Sequence, residues 1–139
     1  MALLKLAALA TGLVLLATVA TARDIKVGGL LVSHPSCEQI EGQRNALAAR
    51  IKIANTGSVD DRLIGASFAR ASQVLLDNHR IEDMHGVAIP AGAAVVLKSS
   101  VIPLTFAGLD RLPVEGTLVA GTLVFEKAGV VAVDFLIGG

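Results

Sequence analysis

The amino-acid sequence predicts an all-β protein, a two-layer antiparallel β-sandwich preceded by an apolar leader. Three observations carry this. Beyond residue 22 the chain is a succession of short apolar runs rich in Val, Ile and Leu, separated by Gly, Asn, Asp and Ser. No window there carries apolar residues at the 3.6-residue spacing of an amphipathic helix. The 14 glycines fall largely between the runs, where turns need them. Strands this short and this numerous bury their apolar faces only against one another, and two stacked sheets are the natural solution.

The elements follow in order. Lys5 gives a positive start, Leu6 to Ala22 carries no charge, and Ala20-Thr21-Ala22 offers small residues before a cut. This is the pattern of a helical secretory signal peptide over 1–22, with cleavage after Ala22 and one domain over 23–139. No Cys follows the small residues, so a lipid anchor on a cysteine is not expected. Ile25 to Val32 reads as a strand loosened by Gly28-Gly29. Ser33 to Asn45 reads as polar and irregular, with one helical turn after Ser36. Ala49, Ile51 and Ile53 alternate with Arg50, Lys52 and Ala54, the period of a half-buried strand. Asn55-Thr56-Gly57 ends it with turn chemistry. Further strands are expected at Leu63 to Phe68, Gln73 to Leu76, Ala94 to Lys98, Ile102 to Phe106, Leu118 to Phe125 and Val130 to Ile137. The last two form a hairpin around Glu126-Lys127-Ala128-Gly129.

Composition narrows the function. Formal net charge is zero, so no overall field attracts nucleic acid or an anionic surface. Aromatic content is 3%, all Phe, and without Trp or Tyr there is no stacking platform for bases or sugars. No phosphate-cradling or dinucleotide-binding glycine motif occurs. Ser99 or Ser100 with His79 and Asp77 would make a triad on paper, but no nucleophile elbow surrounds either serine. The chain does not read as an enzyme. Cys37 is the only cysteine, so an internal disulfide is excluded. It reads as a small buried hydrophobe, with His34 and Cys37 as an outside pair of soft ligands.

Several pieces occur in one collinear order. Asp24-Ile25-Lys26-Val27 opens it. Ile51-x-Ile53-x-Asn55-x-Gly57 follows, then Asp61-Arg62-Leu63-Ile64-Gly65-Ala66. Ile89-Pro90-Ala91-Gly92, Val96-Leu97-Lys98, Gly108-Leu109, Leu112-Pro113-Val114-Glu115-Gly116 and Leu123-Val124-Phe125-Glu126-Lys127-Ala128-Gly129 complete it. This order resembles the periplasmic copper chaperones of the PCu(A)C family. The resemblance implies a cupredoxin-like, immunoglobulin-like β-sandwich, an exported periplasmic location, Cu(I) as cargo and an exported copper-acceptor protein as partner. Members hold Cu(I) with a His and a Met on one loop and a His-x-Met pair on a later strand. In this chain Pro103 stands where that His is expected and Thr105 where that Met is expected. Neither side chain suits a soft ion.

The remaining soft donors gather elsewhere. His79, Met84 and His85 lie between Asp77 and Ile89 and are, apart from His34, every His and Met after the leader. Two imidazoles and a thioether suit three-coordinate Cu(I). They are the candidate metal ligands. The other reading is a metal-free β-sandwich that lost its site and serves as a binding or scaffolding module, with residues 77–88 a solvated loop.

Overall fold

The computed structural model describes residues 23–138, so the expected leader over 1–22 lies outside the described residues. Eleven strands follow one another: β1 (Ile25–Val27), β2 (Leu30–Gln39), β3 (Leu47–Asn55), β4 (Asp61–Phe68), β5 (Gln73–Leu76), β6 (His79–Arg80), β7 (Val87–Ile89), β8 (Ala94–Leu97), β9 (Leu104–Ala107), β10 (Leu118–Phe125) and β11 (Gly129–Ile137). A 3-10 turn over Ile81–Asp83 is the one helical element among the described residues.

The strands form one continuous hydrogen-bonded ribbon in the order β6-β5-β9-β3-β2-β11-β10-β4-β7, with β1 also on β2 and β8 also on β3. The ribbon curls so that its two wings stack, as short strands with one apolar face must. All pairings are antiparallel except one: Leu136 and Ile137 of β11 meet Ser36 and Cys37 of β2 in parallel. Between the wings, Phe68 of β4 stacks on Phe106 of β9 with ring centroids 4.7 Å apart. Phe135 of β11 meets Phe106 edge-on at 5.2 Å. Offset and edge-on rings are the favoured aromatic geometries, and these three rings join both wings at the centre of the core. Every described strand pairs with another described strand, and the buried residues form one cluster from Leu30 to Ile137. Residues 23–138 thus share one hydrophobic core.

The central alternation of β3 is as expected: Ile51 and Ile53 are buried, Arg50 and Lys52 exposed. The stretch after Ser33 is not. In place of an irregular segment with a helical turn, β2 continues to Gln39. A β-bulge explains the difference. Pairing steps from Ser33↔Lys52 to Ser36↔Arg50, so His34 and Pro35 stand opposite Ile51 alone. The extra residue resets parity: Leu30 and Val32 face inward before it, Pro35 and Cys37 after it. A strict two-residue period is therefore broken in the sequence although the strand is continuous. Gly28-Gly29 likewise forms the two-residue turn of a β1–β2 hairpin, since Val27 pairs with Leu30.

Two polar side chains set the ends of the wings. Asn55 is 3% exposed. Its Nδ2 donates to the carbonyls of Val59 and Ile89, both at 2.9 Å, and its Oδ1 accepts from Gly57 N–H at 3.1 Å. It ties the end of β3 to the end of β7. Gly57 lies so close to the β1–β2 turn that a Cβ on Gly29 would come 2.8 Å from the Gly57 Cα. Asp61, opening β4, accepts backbone N–H bonds from Arg62, Lys127 and Ala128 at 2.7, 2.9 and 3.0 Å. It thereby locks the β10–β11 turn onto β4.

Candidate metal centre

His79 owes its position to a hairpin within the segment expected to be a loop. Asp77 and Asn78 take φ of 51° and 65° between β5 and β6. Two successive positive φ values define a tight hairpin turn that Asp and Asn tolerate. Leu76 then pairs with His79 on one side and with Leu104 of β9 on the other. Asp77 N–H donates to the Pro103 carbonyl at 2.8 Å, which fastens the turn to the stretch that leads into β9.

The His79 ring is oriented by its own turn. Nδ1 lies 2.8 Å from the Asp77 carbonyl oxygen. A carbonyl only accepts, so Nδ1 carries the proton. In the neutral ring Nε2 then keeps its lone pair, the arrangement of a metal-binding imidazole whose second nitrogen is hydrogen-bonded.

Past β6 the 3-10 turn is pinned by Ile81, 5% exposed, and Met84 N–H closes it onto the Ile81 carbonyl at 3.1 Å. Met84 is half-buried and packs against the hydrophobic core. His85 is exposed, and its carbonyl accepts from Arg62 Nη1 at 3.1 Å. Gly86 follows at φ 79°, where a Cβ would stand 2.1 Å from the Leu63 carbonyl oxygen. Only glycine lets the chain lie this close to β4 before β7 begins. The segment thus carries two exposed imidazoles on either side of one inward-leaning thioether. Among the described residues no three His, Cys, Asp or Glu side chains group to hold a metal.

His34 and Cys37 do not meet. Cys37 is 1% exposed inside β2, and burial pushes its thiol far above the usual range, so it stays protonated. His34 takes φ 51° in the bulge, and its side chain is 88% exposed. The bulge aims it outward while Cys37 points inward, which separates the outside pair. Pro103 contributes its carbonyl to the Asp77 turn. Thr105, 9% exposed, pairs with Leu75 and Ala48 inside the sheet. Neither supplies a soft donor.

The sequence reading missed three supports of this region: the Asp77-Asn78 turn, the Arg62 guanidinium on the His85 carbonyl, and the contact that demands Gly86. The Asp-Asn dipeptide between Leu76 and His79 was the available signal for the first. Contacts made across 23 residues, as by Arg62, leave no local trace.

A family model described as "Putative lipoprotein LpqE-like" matches residues 20–137. No curated protein matches the chain. Among solved structures, the copper-bound PCuAC domain from PmoF2 superposes with a TM-score of 0.72 at 24% identity, covering 84% of this chain and 98% of that one. The apo PCuAC domain from PmoF1 gives 0.74 at 22%, covering 84% and 99%. The solution structure of CuI-DR1885 from Deinococcus radiodurans gives 0.64 at 17%, covering 84% and 80%. The curled all-β ribbon described above is therefore the PCuAC fold, and the chain belongs to the LpqE-like family.

Proposed function

We propose that this chain is an exported, periplasmic copper-chaperone-like protein that carries Cu(I) as cargo on His79, Met84 and His85 and passes it to an exported acceptor protein. The observation that supports the reading best is the His79 tautomer: its Nδ1–H is engaged by the Asp77 carbonyl at 2.8 Å, which leaves Nε2 as a ligand. Two neutral imidazoles and a thioether match the softness of Cu(I), and a thioether resists oxidation better than a thiolate in an exported setting. Likeness to the copper-bound PmoF2 domain and to CuI-DR1885 adds to it. The exposure of both histidines keeps the site open to a second protein. Copper arrives and leaves here as cargo, with no bond-breaking step assigned to the chain.

The test is competition for Cu(I) between residues 23–139 and a chromogenic chelator such as bicinchoninate under anaerobic conditions. One equivalent should be withdrawn by the wild type. His79→Ala with His85→Ala should abolish this, and Met84→Leu, which keeps the packing, should weaken it. A wild type that never competes ends the proposal.

A second reading is favoured by Pro103, Thr105 and the packing of Met84 against the core. It is a metal-free sandwich acting as a binding or scaffolding module. It requires the same melting temperature with and without Cu(I), because a ligand bound only by the native state raises stability. A rise of several degrees removes it.

A further inference from the structure

A cleft lies at the other end of the β5–β9 pair from His79. Leu76 and Leu104 mark the His79 end of that pair, Gln73 and Ala107 the opposite one, ~10 Å away at the usual strand rise. The cleft has a volume of about 530 Å³ and is lined by Leu109, Leu112, Pro113 and Val119 together with Arg70 and Arg111. Its lining combines apolar side chains with charged ones, as an amphipathic ligand requires.

Two features of the arginines bear on its occupant. Neither arginine is ion-paired: the ion pairs among the described residues are His34–Asp24, Arg50–Glu38 and Arg80–Glu82. The nearest acid in sequence, Asp110, places Oδ1 2.9 Å from the Arg111 backbone N–H, and Glu115 is exposed and outside the lining. The backbone of Arg70 is the second feature. It sits at φ 70° in a turn closed by Ala71 N–H on the Phe68 carbonyl at 3.0 Å. Glycine fills such a position without strain, and a long charged side chain does not. Arg70 thus lines this cleft from a backbone position that favours glycine. The floor is rigid, because Leu109 is 4% exposed and its N–H is bonded to the Asn45 carbonyl at 2.9 Å.

We propose that this cleft binds a fatty carboxylate, its alkyl chain lying along Leu109, Leu112, Pro113 and Val119 and its head group held by Arg70 and Arg111. Planar guanidinium forks suit a carboxylate, and the apolar walls suit the chain. The inference is independent of copper, and His79 takes no part in it.

The experiment titrates dodecanoate, below its micelle concentration, into residues 23–139, with dodecanol and dodecyltrimethylammonium as controls. Saturable binding is expected, with backbone amide shifts at Arg70, Leu112 and Val119 and none at His79 to His85. Arg70→Gly should melt at or above the wild-type temperature, since it suits φ 70°, while weakening binding about tenfold or more. Arg111→Ala should weaken binding to a similar degree. Dodecanol should bind more weakly and the cation not at all. Equal affinity for dodecanol, undiminished binding by a folded Arg70→Gly or Arg70→Asn, shifts centred on His79, or no saturable binding each overturn the proposal.

Discussion

Replacing Asn55 with Ala tests whether one buried amide holds the end of the sandwich together. The side chain is 3% exposed and makes three hydrogen bonds, two as donor at 2.9 Å and one as acceptor at 3.1 Å. Each bond contributes about 0.5–1.5 kcal/mol net, and the Ile89 carbonyl is left buried without this donor. The expected loss is about 3 kcal/mol. For a domain of this size that lowers the melting temperature by ~10 °C. Asn55→Asp should cost more at neutral pH: it keeps the acceptor for Gly57 but turns a carboxylate oxygen toward two carbonyls. Burial and those carbonyls raise its pKa, so that deficit should shrink as pH falls and the acid takes up a proton able to donate. The assays are thermal melts followed by circular dichroism, with hydrogen exchange at Val87 and Ile89, whose strand loses its tie to β3. An alanine variant that melts within about 2 °C of wild type would refute the stapling role.

Further outcomes follow from the same geometry. Burial alone would push the Asp61 carboxyl up, but N–H bonds from Lys127, Arg62 and Ala128 and the Lys127 charge outweigh it and hold its pKa below the usual carboxylate value. The folded pKa is thus lower than the unfolded one, so the stabilisation is complete above about pH 4 and lost as pH falls through the depressed folded value. Urea midpoints measured from pH 2 to 7 should show a weaker acid-side decline in Asp61→Asn than in wild type; parallel curves would contradict this. Gly86→Ala places a Cβ 2.1 Å from the Leu63 carbonyl oxygen at φ 79° and should cost at least 2 kcal/mol, read as a fall in urea midpoint. The same change should move the His85 amide resonance more than that of His79, because His85 adjoins the strained residue.

Much of the fold was legible because its strands follow simple rules. The alternation around Ile51 and Ile53 and the runs before and after Glu126-Lys127-Ala128-Gly129 show the two-residue period directly, and β3, β10 and β11 appear there. The misreadings have two causes, a change of phase and a very short element. The bulge at His34-Pro35 shifts the inward positions of β2 by one residue, so a ten-residue strand looked aperiodic. The β6 and β7 strands have two and three residues and no periodicity to read. For the candidate metal centre, the sequence supplied the donor types and their clustering in residues 79–85. It did not supply the His79 tautomer, which depends on the Asp77-Asn78 turn, or the inward lean of Met84, which depends on the closure of the wings.

The burial of Cys37 bears on how the molecule could be tethered. A lipid carried on a cysteine sulfur needs that sulfur at the surface and at the very start of the processed polypeptide. Beginning the chain at Cys37 would discard β1 and most of β2, including the inward-facing Leu30 and Val32. What remained would lack the partner against which β3 zips from Arg50 to Asn55. Within this sequence the Cys37 sulfur is spent as packing between the wings.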